Sequence, residues 1–502
     1  MRRFEVGGSI ITVAGTGVCG YAGEGGPAGE AAFNAPSDIA VAPDGAIYIA
    51  DTGSCRIRRI AGGEIATVAG NGVCAPGGDG GPATSAGVWH AVGLAGAKDG
   101  SWFFSEQDTC RVRRIDIRGA VTTYAGTGVC GHSGDGGPAT RAQLDGMLGG
   151  IALAEDGTLY VAEGSACRVR RIDAQGVIGT LAGTGVCGFG GDGGSAREAQ
   201  LNFVSDVALD GNGSLYLAEP FNCRVRRIEP TTGVIDTVAG DGSCDYNGEG
   251  IPAARAGVEP WGVSVGPDGA LYIADSTNCR VRVVHDDGRI DTVAGTGECA
   301  YAGDGGPATE AMLFRPYDVV VDQLGNIYVD DVRSFAVRKL DTGGIISTVA
   351  GVGVSRPVDL GGFDPTGGLL CSLHNLPIPA PSYLRDGGPA DQAGLYFPYA
   401  IALGYDGHLY IADTFDHRVR RVTCGGSVPC AGPAAGEAGL PGRPVDQGRP
   451  DQDLRLPVSG QAEAPHGTNF SLAPWLAAGG AALLLLAAAA TRRRRGPDNG
   501  VQ

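Results

Sequence analysis

The cysteines are the residues whose spacing most clearly indicates chemistry. Fourteen occur in 502 residues, and eleven of them recur at two positions of a repeated unit. The first position gives Cys55, Cys110, Cys167, Cys223 and Cys279, and the second gives Cys19, Cys74, Cys130, Cys187, Cys244 and Cys299. Cysteines repeated in this way either form disulfides or hold a metal ion.

Disulfides fit the spacing better than zinc, because the cysteines lack the close C-x-x-C spacing of zinc sites. If each cysteine of the second set bonded to the next one of the first set, Cys299 would lose its partner, because position 335 is Phe. If each cysteine of the first set bonds to the one 19 to 21 residues later, both positions are lost together, at Phe335 and Ser355. The predicted pairs are Cys55–Cys74, Cys110–Cys130, Cys167–Cys187, Cys223–Cys244 and Cys279–Cys299.

Four cysteines remain after this assignment, and we expect the pairs Cys424–Cys430 and Cys19–Cys371. Disulfides persist in oxidising compartments. The chain is therefore predicted to be extracellular, on a cell surface.

Acidic residues and arginines also recur in every unit. One acid lies in a G-D-G-G-P-A-like loop: Glu24, Asp79, Asp135, Asp192, Glu249, Asp304 and Asp386. A second ends a β segment: Asp51, Glu106, Glu163, Glu219, Asp275, Asp330 and Asp413. Arginines follow at Arg56, Arg111, Arg168, Arg224, Arg280 and Arg418. These acids either bind divalent cations or a basic partner, or neutralise nearby arginines and cap turns. Seven copies favour the structural role, because a binding site seldom needs such repetition.

The repeated unit itself predicts the fold. Its equivalent positions Cys55, Cys110, Cys167, Cys223, Cys279, Phe335 and His417 lie 55 to 57 residues apart, with a last interval of 82. Each unit contains four short runs rich in Ile, Val and Tyr, separated by turns such as Asp44-Gly45, which indicates four antiparallel strands. Such a sheet cannot bury both faces alone, so we expect the units to stack as the blades of an all-β seven-bladed propeller.

The ends of the array predict how the ring closes. A V-A-G-type fourth strand precedes the first unit, at Ile10 to Gly15, and none follows Val422. We therefore expect this N-terminal strand to pair with the last unit and leave no open edge.

The segments PSDIAVAPDGAIYIADTGSCRIRRI and VAGTGVCGYAGEGGPA, at residues 36–60 and 13–28, resemble the NHL-repeat family of β-propellers, in its long bacterial form with G-D-G-G-P-A loops between blades. The resemblance covers residues 8–424 and implies the propeller fold. Some propellers similar to this one are lyases or lactonases that hold zinc or calcium in the central channel. The sequence departs from the family by placing cysteine where a polar residue usually precedes Arg-Val-Arg.

A ligand site is best sought where the repeat varies. The residues that enter the innermost strands are Ser37, Val92, Gly149, Ser205, Trp261, Tyr317 and Tyr399, followed by Asp38, Gly93, Gly150, Asp206, Gly262, Asp318 and Ala400. They should line the mouth of the channel. The predicted ligand-binding residues are Asp38, Asp206, Trp261, Tyr317, Asp318 and Tyr399, which suit an apolar or sugar-like ligand. Alternatively, the aromatic side chains only fill the channel.

No catalytic set is evident. Of the seven histidines only His90 is expected near the mouth, and no pair has metal-ligand spacing. We therefore expect no cofactor, with calcium as the alternative. If the protein is a metal-dependent lyase or lactonase, Asp38, Asp206 and Asp318 are its candidate ligands or general bases.

Charge and composition bound the partners. The net charge is −17 and the sequence pI is about 4.8, which disfavours binding to nucleic-acid phosphates. Lys98 and Lys339 are the only lysines, whereas Ala, Gly and Arg are abundant, and this bias favours a bacterial source.

The C-terminal region predicts a membrane anchor. Residues 425–469 are rich in Pro, Gly and Ala and indicate a disordered linker. Leu472 to Ala490 carry no charge, within a predicted transmembrane helix over 470–491. Arg492, Arg493, Arg494 and Arg495 begin a basic tail over 492–502 that is predicted to stay in the cytoplasm, leaving the propeller outside. The helix also resembles cleavable C-terminal membrane tags of bacterial surface proteins.

Two further segments carry expectations. Phe4 to Ile11 lack the apolar core of a signal peptide, so we expect a start upstream of Met1. The insertion at about 355–384 is either a lid or a tolerated surface loop. The leading hypothesis is a membrane-anchored, non-catalytic module that binds a protein, glycan or small molecule; a structural surface spacer is a further alternative.

Overall fold

Each unit folds into four antiparallel strands, because its β-branched and aromatic runs are short and separated by tight turns. The computed structural model describes residues 9–42, 44–107, 109–146, 148–351, 395, 398–403, 408–414 and 418–423. Within them lie seven sheets, which form the predicted seven-bladed propeller. The blades are numbered along the chain, and each is given from its innermost strand outward.

Blade one consists of Pro36–Val41, Ile47–Asp51, Arg56–Ala61 and Glu64–Ala69, and blade two of Ala91–Gly96, Trp102–Glu106, Arg111–Ile115 and Val121–Ala125. Blade three consists of Leu148–Leu153, Leu159–Glu163, Arg168–Ile172 and Val177–Ala182, and blade four of Asp206–Leu209, Leu215–Glu219, Arg224–Ile228 and Val234–Ala239. Blade five consists of Pro260–Val265, Leu271–Asp275, Arg280–Val284 and Arg289–Ala294, blade six of Pro316–Val321, Ile327–Asp331, Ala336–Leu340 and Ile346–Ala350, and blade seven of Pro398–Leu403, Leu409–Asp413, Arg418–Thr423 and Ser9–Ala14.

The ring closes as predicted. Ser9–Ala14 pairs antiparallel with Arg418–Thr423, so that the outermost strand of blade seven is the N-terminal strand. Apolar side chains fill every junction between neighbouring blades, and at the closing junction Ile49 of blade one packs with Tyr410 and Val419 of blade seven. Blades seven and one are therefore joined in the same way as the other neighbours.

The G-D-G-G-P-A loops cover the outer edge of the blade that follows each of them. Gly136, for example, donates a backbone hydrogen bond to the carbonyl of Ile178 in the outermost strand of blade three (2.8 Å). Three of these loops form two-residue strands there, at Gly137–Pro138, Gly194–Ser195 and Ile251–Pro252. Short 3-10 helices follow the loops at Ala28–Glu30, Ala83–Ser85, Ala139–Arg141, Ala196–Glu198, Ala253–Arg255 and Ala308–Glu310. Three more follow second strands, at Thr52–Ser54, Pro220–Asn222 and Val332–Ser334. The loops thus protect edges that would otherwise be open to strand addition.

The five repeated disulfides are confirmed, with Cα–Cα distances of 5.0 to 5.3 Å. Each links the start of a third strand to the loop that leaves the same blade. Cys19 is also disulfide-bonded. The ten other described cysteines bond to one another, so the predicted pairs Cys19–Cys371 and Cys424–Cys430 involve positions outside the described residues.

A buried arginine in every third strand links the repeated acids, but it is not the arginine that the sequence analysis singled out. The buried residues are Arg58, Arg113, Arg170, Arg226, Arg282, Arg338 and Arg420, all at most 1% exposed. They lie two residues after the predicted positions. The first arginine of the segment lies on the same side of the strand but nearer its end. Arg56, for example, stacks on the Tyr21 ring (3.5 Å) and donates to the carbonyls of Ser54 and Asn71 (2.9 and 3.0 Å).

The carboxylates at the ends of the second strands are the buried partners of these arginines, at 3.2 to 3.9 Å. In blade six the partner of Arg338 is Asp331, so the assignment of Asp330 to this position was wrong by one residue. The loop acids approach the same arginines from the other side, at 2.5 to 3.6 Å in blades one to six. The structural role predicted for the repeated acids is therefore confirmed for these pairs.

The electrostatics of blade three show how one arginine serves two acids. Burial raises the pKa of Glu163 to about 7, although the Arg170 charge opposes the shift. Burial acts on Asp135 as well, but hydrogen bonds from Thr180 and the Arg170 charge outweigh it and hold the pKa of Asp135 at about 2. Arg170 also donates to the backbone carbonyls of Gln143 and Ser133. The side chain thus links four segments of the chain.

No helix among the residues described above is long and apolar enough to cross a membrane. The insertion at 355–384, the linker at 425–469, the predicted transmembrane helix and the basic tail lie outside the described residues.

We expect Arg170→Ala to lower the free energy of unfolding by about 3 kcal/mol, because it leaves two carboxylates without their buried counter-charge. The neighbouring Arg171 is exposed, so Arg171→Ala should change stability by only about 0.5 kcal/mol. Urea unfolding of both variants measures the difference. Equal losses would show that the buried network contributes nothing specific.

Candidate binding site at the channel mouth

The innermost strands begin at the mouth of the channel with an irregular backbone. Ala35, His90, Phe203 and Arg315 occupy equivalent positions before these strands and have φ values of 49° to 58°. Residues other than glycine rarely adopt this left-handed backbone conformation, which costs free energy where it is retained. The pairing register also shifts just after this point, for example between Pro316 and Asp318. The sequence expectation that His90 lies near the mouth agrees with its place in this set.

Four aromatic side chains form a cluster on blades four to six. The rings of Trp261 and Tyr317 stack with their centroids 5.2 Å apart. The rings of Phe203 and Phe221 stack at 4.8 Å and meet Trp261 edge-on at 6.4 and 6.5 Å. Trp261 is 9% exposed, whereas Tyr317 and Phe221 are 37% and 44% exposed. The structure thus brings two of the predicted aromatic residues together.

Sequence analysis missed Phe203 and Phe221. Phe203 comes two residues before Ser205, and Phe221 lies in the turn after a second strand, where other blades have Gly53, Ser165 and Thr277. Comparing these two positions across the repeat would have shown phenylalanine in blades four and seven alone, at Phe203 and Phe397 and at Phe221 and Phe415. The backbone of Tyr399 belongs to an innermost strand, but its side chain is outside the described set.

The three predicted channel aspartates link neighbouring blades. Asp38 accepts hydrogen bonds from the N–H groups of Ile39 in its own blade and Leu94 in the next, both at 2.8 Å. Asp206 accepts from Val207 and Val263 in the same way. Asp318 accepts from Val319 and from Ile401 of blade seven. These carboxylates are therefore part of the junctions between blades.

The enclosed channel perturbs the titration of these groups. Burial raises the pKa of Asp38 to about 7, with Asp318 adding to the shift. Burial and the charge of Asp318 likewise raise the pKa of Asp206 to about 7. Burial raises that of Asp318 to about 6. Within the ranges given for the structure, no cluster of three or more His, Cys, Asp or Glu side chains is arranged to hold a metal ion.

Seven four-stranded antiparallel sheets surround the channel. This architecture defines the class of β-propellers. A family model described as "NHL repeat" matches residues 258–284, and one described as "Teneurin NHL domain" matches residues 14–61. Together with the seven-bladed ring and the relatives below, these matches confirm the predicted resemblance to the NHL-repeat β-propellers.

Curated relatives include Teneurin-m of Drosophila melanogaster, 28% identical over 70% of this chain and 13% of that protein. Protein SUPPRESSOR OF QUENCHING 1, chloroplastic, of Arabidopsis thaliana is 25% identical over 51% of this chain and 25% of its own length. The chain thus spans at most about a quarter of the length of these relatives. Among solved structures, a streptogramin B lyase aligns at 14% identity with a TM-score of 0.49, covering 79% of this chain and 95% of that one. That likeness carries no argument about activity.

We expect the thermal midpoint of unfolding to fall as the pH rises from 5 to 8. The pKa of Asp206 is about 7 in the folded protein and 3.8 ordinarily, so its stabilising contribution is present at low pH and lost as the pH rises through 7. Asp206→Asn should make the midpoint less dependent on pH in calorimetric scans. An unchanged dependence would mean that the channel acids titrate normally.

Proposed function

We propose that the protein is a non-catalytic binding module whose ligand stacks on the aromatic cluster of Phe203, Phe221, Trp261 and Tyr317. The observation that carries this proposal is the stack of Tyr317 on the buried Trp261, with the Tyr317 and Phe221 side chains exposed beside it. Contiguous exposed apolar surface is uncommon on soluble domains and usually marks an interaction site. The equivalent positions of blade one hold the small residues Ala35, Ser37 and Gly53.

The repeat gives the proposal its second support. The buried arginines and their acids recur in all seven blades and serve the fold. Within the described residues, by contrast, the aromatic cluster lies on blades four to six. Blade seven has further aromatic residues at the equivalent positions, Phe397, Tyr399 and Phe415. Aromatic side chains at the mouth are therefore limited to one part of the ring, as a single ligand site would require.

The chemistry of the rim defines the ligand class. Stacked aromatic rings bind flat apolar faces, including the apolar faces of sugar rings. Arg315, half-buried two residues before Tyr317, supplies a positive charge next to the cluster in the sequence. A small molecule or glycan with a flat apolar face and polar groups at its edge fits this combination.

We expect Trp261→Ala and Tyr317→Ala each to weaken binding at least about ten-fold, which corresponds to about 1.4 kcal/mol. The probes are a panel of defined oligosaccharides and aromatic small molecules, and the measurement is titration calorimetry on the full chain. Unchanged thermal midpoints would show that the variants remain folded.

Phe189→Ala is the matched control. Phe189 is also an exposed aromatic residue, at 41%, but it lies in an inter-blade loop, where its ring stacks on Arg224 (3.6 Å). This variant should bind like the wild type. A ligand that binds equally well to the Trp261→Ala variant would place the binding surface elsewhere.

We further propose that the propeller is held on the outer face of a cell membrane by Leu472 to Ala490. The support is the charge-free segment followed by four arginines, together with five disulfides that require an oxidising compartment.

Membrane fractionation of the producing cells tests the anchor. The full chain is expected to stay with the membrane after an alkaline wash, and a chain ending at Phe470 is expected to be released. As a control for the compartment, peptide mass spectrometry should find Cys55 linked to Cys74 in both. A full chain recovered in the soluble fraction with free thiols would refute the anchored, exported form.

A further inference from the structure

Asp330 is an exception within the repeat that neither the fold nor the aromatic cluster explains. The equivalent position in other blades holds Ala50, Ser105, Ala162, Ala218, Ala274 and Ala412. Asp330 is 0% exposed, and neither of its carboxylate oxygens has a hydrogen-bond partner in the described part of the chain. A buried polar group without a partner is costly and requires a physical explanation.

The surroundings of Asp330 are acidic. Asp318 lies directly opposite it in the innermost strand, Asp331 is its chain neighbour, and Asp413 faces it from blade seven. Burial, then these three carboxylates, raise the pKa of Asp330 well above its ordinary value. Across the channel, the charge of Asp318 adds to the raised pKa values of Asp38 and Asp206. Negative charge therefore faces Asp330 from several elements.

The nearby cations have other partners. Arg338 pairs with Asp331 at 3.7 Å, and Arg420 pairs with Asp413 at 3.2 Å. Among the ion pairs of the described residues, neither arginine pairs with Asp330. Two adjacent carboxylates without a counter-charge cannot both stay ionised in a buried site, and one of them retains a proton.

We propose that the buried Asp330 holds a proton opposite the Asp318 carboxylate and that loss of this proton loosens the junction between blades six and seven. The Asp318 carboxylate accepts a hydrogen bond from the N–H of Ile401 across that junction, so repulsion between the two acids acts on a contact that joins the blades. Blade six has Phe335 where blades one to five have a disulfide cysteine. The proton thus acts in a blade that lacks the repeated disulfide.

Asp330→Asn mimics the protonated acid and tests the proposal in the full chain. The thermal midpoints of the variant and the wild type should coincide at pH 5, whereas at pH 8 the variant should unfold at the higher temperature. Asp330→Ala, which introduces the residue of most other blades, should change the pH 8 midpoint in the same direction. Asp286→Asn changes an exposed acid and should reproduce the wild-type profile.

Amide hydrogen exchange at pH 8 locates the effect. Residues 398–403 of blade seven should exchange faster in the wild type than in the Asp330→Asn variant, whereas residues 168–172 should not differ. Identical pH profiles of the wild type and Asp330→Asn would overturn the proposed proton on Asp330. A wild-type midpoint that falls on adding EDTA, with Asp330→Asn the less stable at pH 8, would also overturn it, because a bound metal ion would then neutralise the pair.

Discussion

The buried arginine of each third strand is the contact that makes the repeat a single cooperative unit. In blades one to six its guanidinium joins the acid at the end of the second strand to the acid of the preceding loop. In blade three it also donates to two backbone carbonyls. A buried charge is tolerated only when paired and hydrogen-bonded. The loop is therefore held over the outer edge of its blade, and this requirement explains why an acid and an arginine recur at these positions.

Closure of the ring adds a second constraint. A blade packs on both neighbours, so each junction needs apolar side chains from two sheets, and the last blade needs a strand from the N-terminal end of the chain. Ser9–Ala14 meets this need by pairing with Arg418–Thr423. The innermost aspartates then join neighbouring blades through backbone N–H groups at three of the junctions. Repeated residues thus serve the ring, and the residues that break the repeat are free to serve binding or control.

Much of the architecture could be predicted from the sequence because it is written several times. The blade count, the closing strand and the five disulfides follow from spacing alone. The sequence also pointed to Trp261 and Tyr317, since both break the repeat. It could not identify Arg58 and its equivalents as the buried arginines, because Arg56 and Arg58 are two residues apart and share a strand face, so alternation does not show which of them is enclosed. Phe203 and Phe221 were missed because they belong to the same cluster only once the turn after the second strand folds against the mouth. Asp330 was assigned to the position that Asp331 occupies, because two adjacent acids allow two alignments of blade six with the repeat.

Amide hydrogen exchange of the whole ring, followed by mass spectrometry, tests the central claim that the seven blades form a closed circle. In this circle, blade seven combines the N-terminal strand with the last three strands of the propeller. Arg418–Thr423 should exchange as slowly as Arg168–Ile172, because each is bonded to a strand on both sides. Exchange in Arg418–Thr423 at the rate of an open sheet edge would contradict the closed ring.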